Sequence, residues 1–74
     1  MNRQDYPELI KTKVDRFDTD TGIGYLSVEN TEVWFHCISI TDGSRVIEAG
    51  KDVAVNLRMG RNGYLEAFRV LKID

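Results

Sequence analysis

From Thr21 to Ile40 the chain alternates. Ile23, Tyr25 and Ser27 fall at every second position, as do Trp34, His36 and Ile38, so two strands would present each set on one face. Leu26, Val28, Val33 and Phe35 fall between them and would line the opposite face. The stretch Glu29-Asn30-Thr31-Glu32 is short, polar and holds a turn-forming asparagine, as a hairpin connection requires. The predicted unit is a hairpin with an apolar back and a ring-bearing front.

The flanks repeat this β pattern with less regularity. Leu9, Ile10, Val14 and Phe17 among polar residues predict a first strand over 9–17, with a bulge where the alternation fails. Residues 1–8, polar and interrupted by Pro7, read as a flexible lead-in, leaving 9–74 as one domain. Turns are predicted at Asp18–Gly22, Thr41–Ser44 and Glu48–Asp52, with Gly50 at positive φ. Val53, Val55 and Leu57 alternate with Ala54, Asn56 and Arg58 in a further strand. Gly60-Arg61-Asn62-Gly63 carries an Asn-Gly hairpin signal, and Tyr64 to Leu71 would form the last strand. Five short strands without a helical period indicate an all-β domain. Closure into a five-stranded antiparallel barrel is the expected architecture, because it removes the edges that a small open sheet would expose.

Composition narrows this picture. At 74 residues there is room for one core, near the lower limit for a fold without covalent staples. The single cysteine, Cys37, allows no internal disulfide, and no Cys/His cluster suggests structural zinc, so packing must supply the stability and no cofactor is expected. There is no apolar leader segment and no run approaching the roughly 20 apolar residues of a membrane span. A cytoplasmic monomer without membrane contact is the expectation.

Net charge is −2, which argues against a strongly basic nucleic-acid binder. Residues 1–42 hold four basic against eight acidic groups, and residues 43–74 six against four, so the charge is asymmetric.

The reactive side chains do not assemble a catalytic pattern. His36 and Cys37 are neighbours on a predicted strand, where alternation would send them to opposite faces. Asp15, Asp18 and Asp20 sit where solvated, turn-stabilising carboxylates are common. Gly22-Ile23-Gly24 lacks the third glycine and following helix of a dinucleotide site. The chain is expected not to be an enzyme.

Several stretches, in order, resemble the cold-shock domain, a five-stranded oligonucleotide-binding (OB-fold) barrel. Val14-Asp15-Arg16-Phe17-Asp18 and Thr21-Gly22-Ile23-Gly24-Tyr25-Leu26 are similar to that family's first motif. Val33-Trp34-Phe35-His36-Cys37 resembles its second, and Ile47 to Val53 a later Leu-x-Glu-Gly-Gln-x-Val segment, with Gly63, Ala67 and Val70 at the closing positions. The similarity spans Lys13 to Leu71.

The resemblance implies binding of single-stranded RNA or DNA, with rings stacked on successive bases and basic groups along the backbone. Carried over position by position, it nominates Tyr25, Trp34 and His36 as stacking groups, with Phe17 beside them. Arg16 stands in place of a tryptophan, and a guanidinium plane can also stack on a base. Lys13 would steer phosphates, as would Arg58 and Arg61 if the Gly60–Gly63 hairpin overhangs the front face, with Tyr64 a weaker candidate of the same kind. Ile23 and Cys37 replace phenylalanines, while Asp15 and Thr21 replace lysines. Since each base–ring stack contributes roughly 1–3 kcal/mol, the lost platforms imply weaker binding of low sequence specificity. The rival expectation is a protein-interaction or structural module that keeps the barrel and has turned its front to another partner.

Overall fold

The computed structural model describes residues 5–73. Five strands, β1 (Asp5–Asp18), β2 (Ile23–Val28), β3 (Thr31–His36), β4 (Asp52–Met59) and β5 (Leu65–Lys72), close into a barrel in the order β1-β2-β3-β5-β4. This is the all-β, five-stranded architecture that the pattern predicts. Among the described residues no helix is long and apolar enough to cross a membrane.

One pairing differs from the antiparallel expectation: β3 and β5 run parallel, with Trp34 opposite Glu66, whereas the other four pairings are antiparallel. The reason is topological. A closed ring with an odd number of strands cannot alternate direction all the way round, so at least one neighbouring pair must be parallel. That pair carries a single ladder position, supplemented by an isolated bridge from Ile40 to Val70.

The inward faces meet in one core of Val14, Leu26, Val33, Phe35, Ile40, Ile47, Val53, Val55, Leu57, Ala67 and Val70. Two spacings of inward-pointing residues break the period of two. On β1, inward Val14 and Phe17 lie three apart, because Asp15 is inserted between the pairs Val14–Leu26 and Arg16–Tyr25. On β5, Ala67 and Val70 lie three apart because Phe68 is inserted between the pairs Asn56–Arg69 and Leu57–Ala67. Each bulge restores inward pointing after the extra residue.

β1 starts at Asp5 rather than Leu9, so part of the stretch expected as a lead-in pairs with β4. The register breaks between Tyr6 and Ile10, around Pro7, which has no N–H to give to a ladder. Residues 1–4 lie outside the described residues. This longer β1 changes the surroundings of β4, where Ala54 and Asn56 are buried as well as the inward Val53, Val55 and Leu57. The Asn56 side-chain amide donates to the Glu8 carbonyl at 3.1 Å.

The hairpin connections use other turns than the sequence suggests. Between β2 and β3 the loop is only Glu29-Asn30, since Val28 already pairs with Thr31. Both residues have positive φ, 51° and 68°, which defines a type I′ turn. Glutamate is a poor occupant of that region. The double variant Glu29→Asn, Asn30→Gly should therefore be more stable by about 1 kcal/mol, read as a rise in thermal midpoint of roughly 4–8 °C. The Asn-Gly pair at 62–63 forms instead a three-residue connection. Gly63 N–H donates to Gly60 C=O at 3.1 Å, Gly63 alone among 61–63 takes positive φ (84°), and Gly60 N–H donates to Tyr64 C=O at 2.9 Å. A type I turn followed by a left-handed glycine accounts for this pattern.

The connection from β3 to β4 is held by polar contacts. Asp42 Oδ1 accepts from Ser44 N–H at 2.8 Å, and its Oδ2 lies 3.0 Å from Lys72 Nζ on β5. The Ser44 amide first, and the Lys72 ammonium second, lower the Asp42 pKa from 3.8 to about 2. As the medium is acidified, the unfolded chain takes up this proton near pH 3.8 and the folded chain only near 2. The contribution of Asp42 is thus fully present above pH 4 and is lost as pH falls toward 2. Thermal midpoints recorded across that window should fall less steeply in Asp42→Asn than in the parent chain; parallel curves would remove Asp42 from the account.

Candidate functional site

The outward positions of β2 and β3 are Ile23, Tyr25 and Ser27 opposite His36, Trp34 and Glu32. The hairpin thus has the two sides the alternation predicts: Leu26, Val33 and Phe35 are fully buried behind, and the rings of Tyr25 and Trp34 are half-buried in front. Gly24 lies behind, opposite Phe35, where a side chain would collide with the phenyl ring.

Register carries the front around the barrel. Arg16 of β1 pairs with Tyr25, Tyr25 with Trp34, Trp34 with Glu66 of β5, and Glu66 with Arg58 of β4. Four of the eight nominated residues, Arg16, Tyr25, Trp34 and Arg58, therefore share one lateral row. His36 stands two residues further along β3 on the same face, opposite Ile23.

The other nominated residues are placed differently. Phe17 points inward and stacks on Phe35, ring centroids 6.1 Å apart, with part of its side chain reaching a shallow groove beside Arg16, Asp18, Thr21, Ile23 and Tyr25. Lys13 faces Asp52 at 2.6 Å and lines a separate groove with Lys11, Thr12, Val53 and Ile73. Arg61 is exposed in the loop between β4 and β5.

Between β3 and β5 lies a groove of about 450 Å³ lined by Ile23, Tyr25, Glu32, Trp34, Asn62, Tyr64 and Leu65. Tyr64 is 68% exposed, yet its backbone is fixed on both sides. Its N–H donates to Asn62 Oδ1 at 3.1 Å, and its carbonyl accepts from Gly60 N–H at 2.9 Å. A third ring is thereby added to those of Tyr25 and Trp34. The Trp34 indole N–H is buried and has no partner among the described residues.

Charge on this face is arranged in pairs. Arg16 lies over the Tyr25 ring, 4.1 Å from its centroid, with Nη2 3.3 Å from Glu32 Oε2. Arg58 lies over Phe68 at 5.2 Å and reaches Glu66 at 3.5 Å. Sequence reasoning assigned Glu32 to the turn and gave Glu66 no role. The signal for Glu32 was present, since it stands two residues before Trp34 and so shares its face. Glu66 becomes visible only when β5 is laid beside β3.

His36 and Cys37 depart from strand alternation. β3 ends at His36, whose Nδ1 accepts from Ile38 N–H at 3.3 Å and so caps a 3-10 turn over Cys37–Ser39. The Cys37 sulfur consequently lies 3.8 Å from His36 Nδ1, on the same side. It also packs over Gly22, whose φ of 75° and lack of a side chain leave room for the sulfur. Ile38, expected to continue the ringed face, is instead carried out of it by this turn and is 69% exposed. Among the described residues, no group of three or more His, Cys, Asp or Glu side chains is placed to hold a metal ion.

No known protein-family model matches the chain, and no curated protein sequence matches it.

Proposed function

We propose that the front of this barrel binds single-stranded nucleic acid, RNA somewhat more than DNA, by stacking unpaired bases on its rings with little sequence preference. The observation that carries the reading is the gathering of Tyr25, Trp34 and Tyr64 along one open groove, with His36 on the same face. Flat rings on a β-barrel front offer every base a platform, and each stack contributes roughly 1–3 kcal/mol. The cold-shock-like order of motifs supports the same reading.

Arg16 and Arg58 flank the rings and would meet the phosphates by exchanging Glu32 and Glu66 for them. The Arg16–Glu32 pair is exposed, and pairs of that kind hold by no more than about 1 kcal/mol, so that exchange costs little; Glu66 is largely buried, so releasing Arg58 costs more. Either exchange gains little, because each phosphate displaces a carboxylate that was already neutralising the arginine. Affinity in the micromolar range or weaker follows.

Titration with oligo-U and oligo-dT, followed by Trp34 fluorescence, tests the reading. Quenching that is lost in a Tyr25→Ala, His36→Ala variant with an unchanged fold is the expected result. An unchanged signal at high micromolar oligonucleotide would sink it.

The paired arginines favour one second reading, a protein-interaction module, because their charge is not left free for a polyanion. Recovery of one stoichiometric protein partner, with no response to oligonucleotide, would select it.

A further inference from the structure

The groove that holds the three rings has a charge character that base stacking does not use. Of its lining residues, Glu32 is the only charged one. A base can use that carboxylate only through an N–H group, with the carboxylate as acceptor, and a phosphate finds no donor in it. Ring faces and a carboxylate act together on a different class of ligand: the quadrupole of Trp or Tyr attracts a cation within about 6 Å of the ring centre, and the carboxylate adds to that attraction.

The molecule already uses this combination. Beside the groove, the Arg16 guanidinium rests on the Tyr25 ring at 4.1 Å while pairing with Glu32 at 3.3 Å. Arg16 approaches from the β1 side and is not part of the groove lining, which opens toward β5 with Trp34, Tyr64 and Leu65. One ring and one carboxylate oxygen of the set therefore hold an internal organic cation, and the half-buried Trp34 ring and the exposed Tyr64 ring line the groove beside them.

We propose that this groove is a receptor for a methylated ammonium group. A bare ammonium is strongly hydrated, and the rings cannot replace the hydrogen bonds it would lose. Methylation removes those hydrogens and leaves a weakly hydrated cation that rings can surround. The Tyr64 backbone is already fixed, its N–H bonded to Asn62 and its carbonyl to Gly60, so only the side-chain torsions of its ring remain to be ordered on binding. The volume of about 450 Å³ exceeds the needs of the head group alone and leaves room for the chain that carries it.

Two sources offer this chemistry, a methylated lysine in a protein segment and a free choline-like molecule. The test uses the whole chain without nucleic acid, so that it does not depend on the base-stacking reading. Tetramethylammonium, choline and a trimethyllysine peptide are titrated while the Trp34 indole and the tyrosine ring signals are followed by NMR. Sodium chloride and ammonium chloride at matched ionic strength serve as controls. Saturable shifts with the methylated cations, absent from the controls, are expected. The affinity should weaken at least fivefold in Glu32→Gln and also in Tyr64→Ala, a change at an exposed residue that leaves the core intact. A peptide that binds more than tenfold tighter than choline assigns the groove to a protein ligand, and equal affinities assign it to the free cation; both support the proposal. Shifts no larger than those of the controls, or an affinity that neither variant changes, overturn it. Quenching by oligonucleotide in a chain that ignores methylated cations would sink this proposal and leave the base-binding reading intact.

Discussion

Replacing Gly24 by alanine should cost the barrel about 3 kcal/mol, at the upper end of the range for overpacked cores. A methyl group there would lie 2.2 Å from Phe35 Cζ and within 2.8 Å of both adjacent ring carbons. Phe35 has no exposed surface and is held from behind by Phe17, so the ring has nowhere to retreat. The glycine serves space, not backbone freedom, since its φ is not in the left-handed region that Gly22, Gly43, Gly50 and Gly63 occupy. For a domain this small the cost corresponds to a thermal midpoint lower by roughly 12–24 °C. Circular dichroism melts decide the matter, and a shift below about 2 °C would show that the hairpin yields more easily than its packing implies.

Phe35→Ala should cost about 3–5 kcal/mol, because it empties a fully buried ring site that Gly24 cannot fill. A domain of this size holds only about 4–11 kcal/mol in total, so much of its stability rests on this ring. The two substitutions should not add. With the phenyl group gone, the alanine methyl at 24 enters vacated space, and the double variant should be more stable than the sum of the single losses by at least about 1 kcal/mol. Urea unfolding of the four proteins completes the cycle; strictly additive costs would mean that Gly24 and Phe35 are not coupled through their contact.

These two residues also show what the sequence could reveal. Alternation through Leu26, Val33 and Phe35 was sufficient to assign the back of the hairpin, because a one-residue slip would have exposed all three. The five-strand barrel followed from turn chemistry and from the lack of any helical period. The boundaries were less accessible. The bulge that the broken alternation of β1 predicts is present, at Asp15, whereas the one at Phe68 on β5 shows only in the pairing of its neighbours. The continuation of β1 back to Asp5 depends on contacts with β4, distant in sequence, and no local pattern encodes it.

Candidate site residues were legible to the extent that they share a strand. Tyr25 and Trp34 were placed correctly on the front because parity fixes faces within a hairpin. Lys13 was grouped with them by motif position, yet it stands across from Asp52 at another groove, since β1 pairs with β4 at Lys13 and with β2 only from Val14 onward. The neutralisation of Arg16 by Glu32 and of Arg58 by Glu66 joins residues from different strands and was beyond any count of charges along the chain. The neighbourhood of His36 and Cys37 was misjudged for a local reason: alternation holds only inside a strand, and β3 ends between them.

The parallel join of β3 and β5 gives the groove a mechanical meaning. With one ladder pair, it is the least stitched seam of the hoop, and opening it would turn the barrel into a curled sheet with two raw edges. Trp34 stands on one lip of that seam and Tyr64 and Leu65 on the other, so a guest in the groove spans both. Whatever binds there acts as a clasp: it stabilises the closed barrel by RT ln(1 + L/Kd), where L is the free ligand concentration, so the tightness of the hoop becomes a gauge of how much free ligand surrounds it.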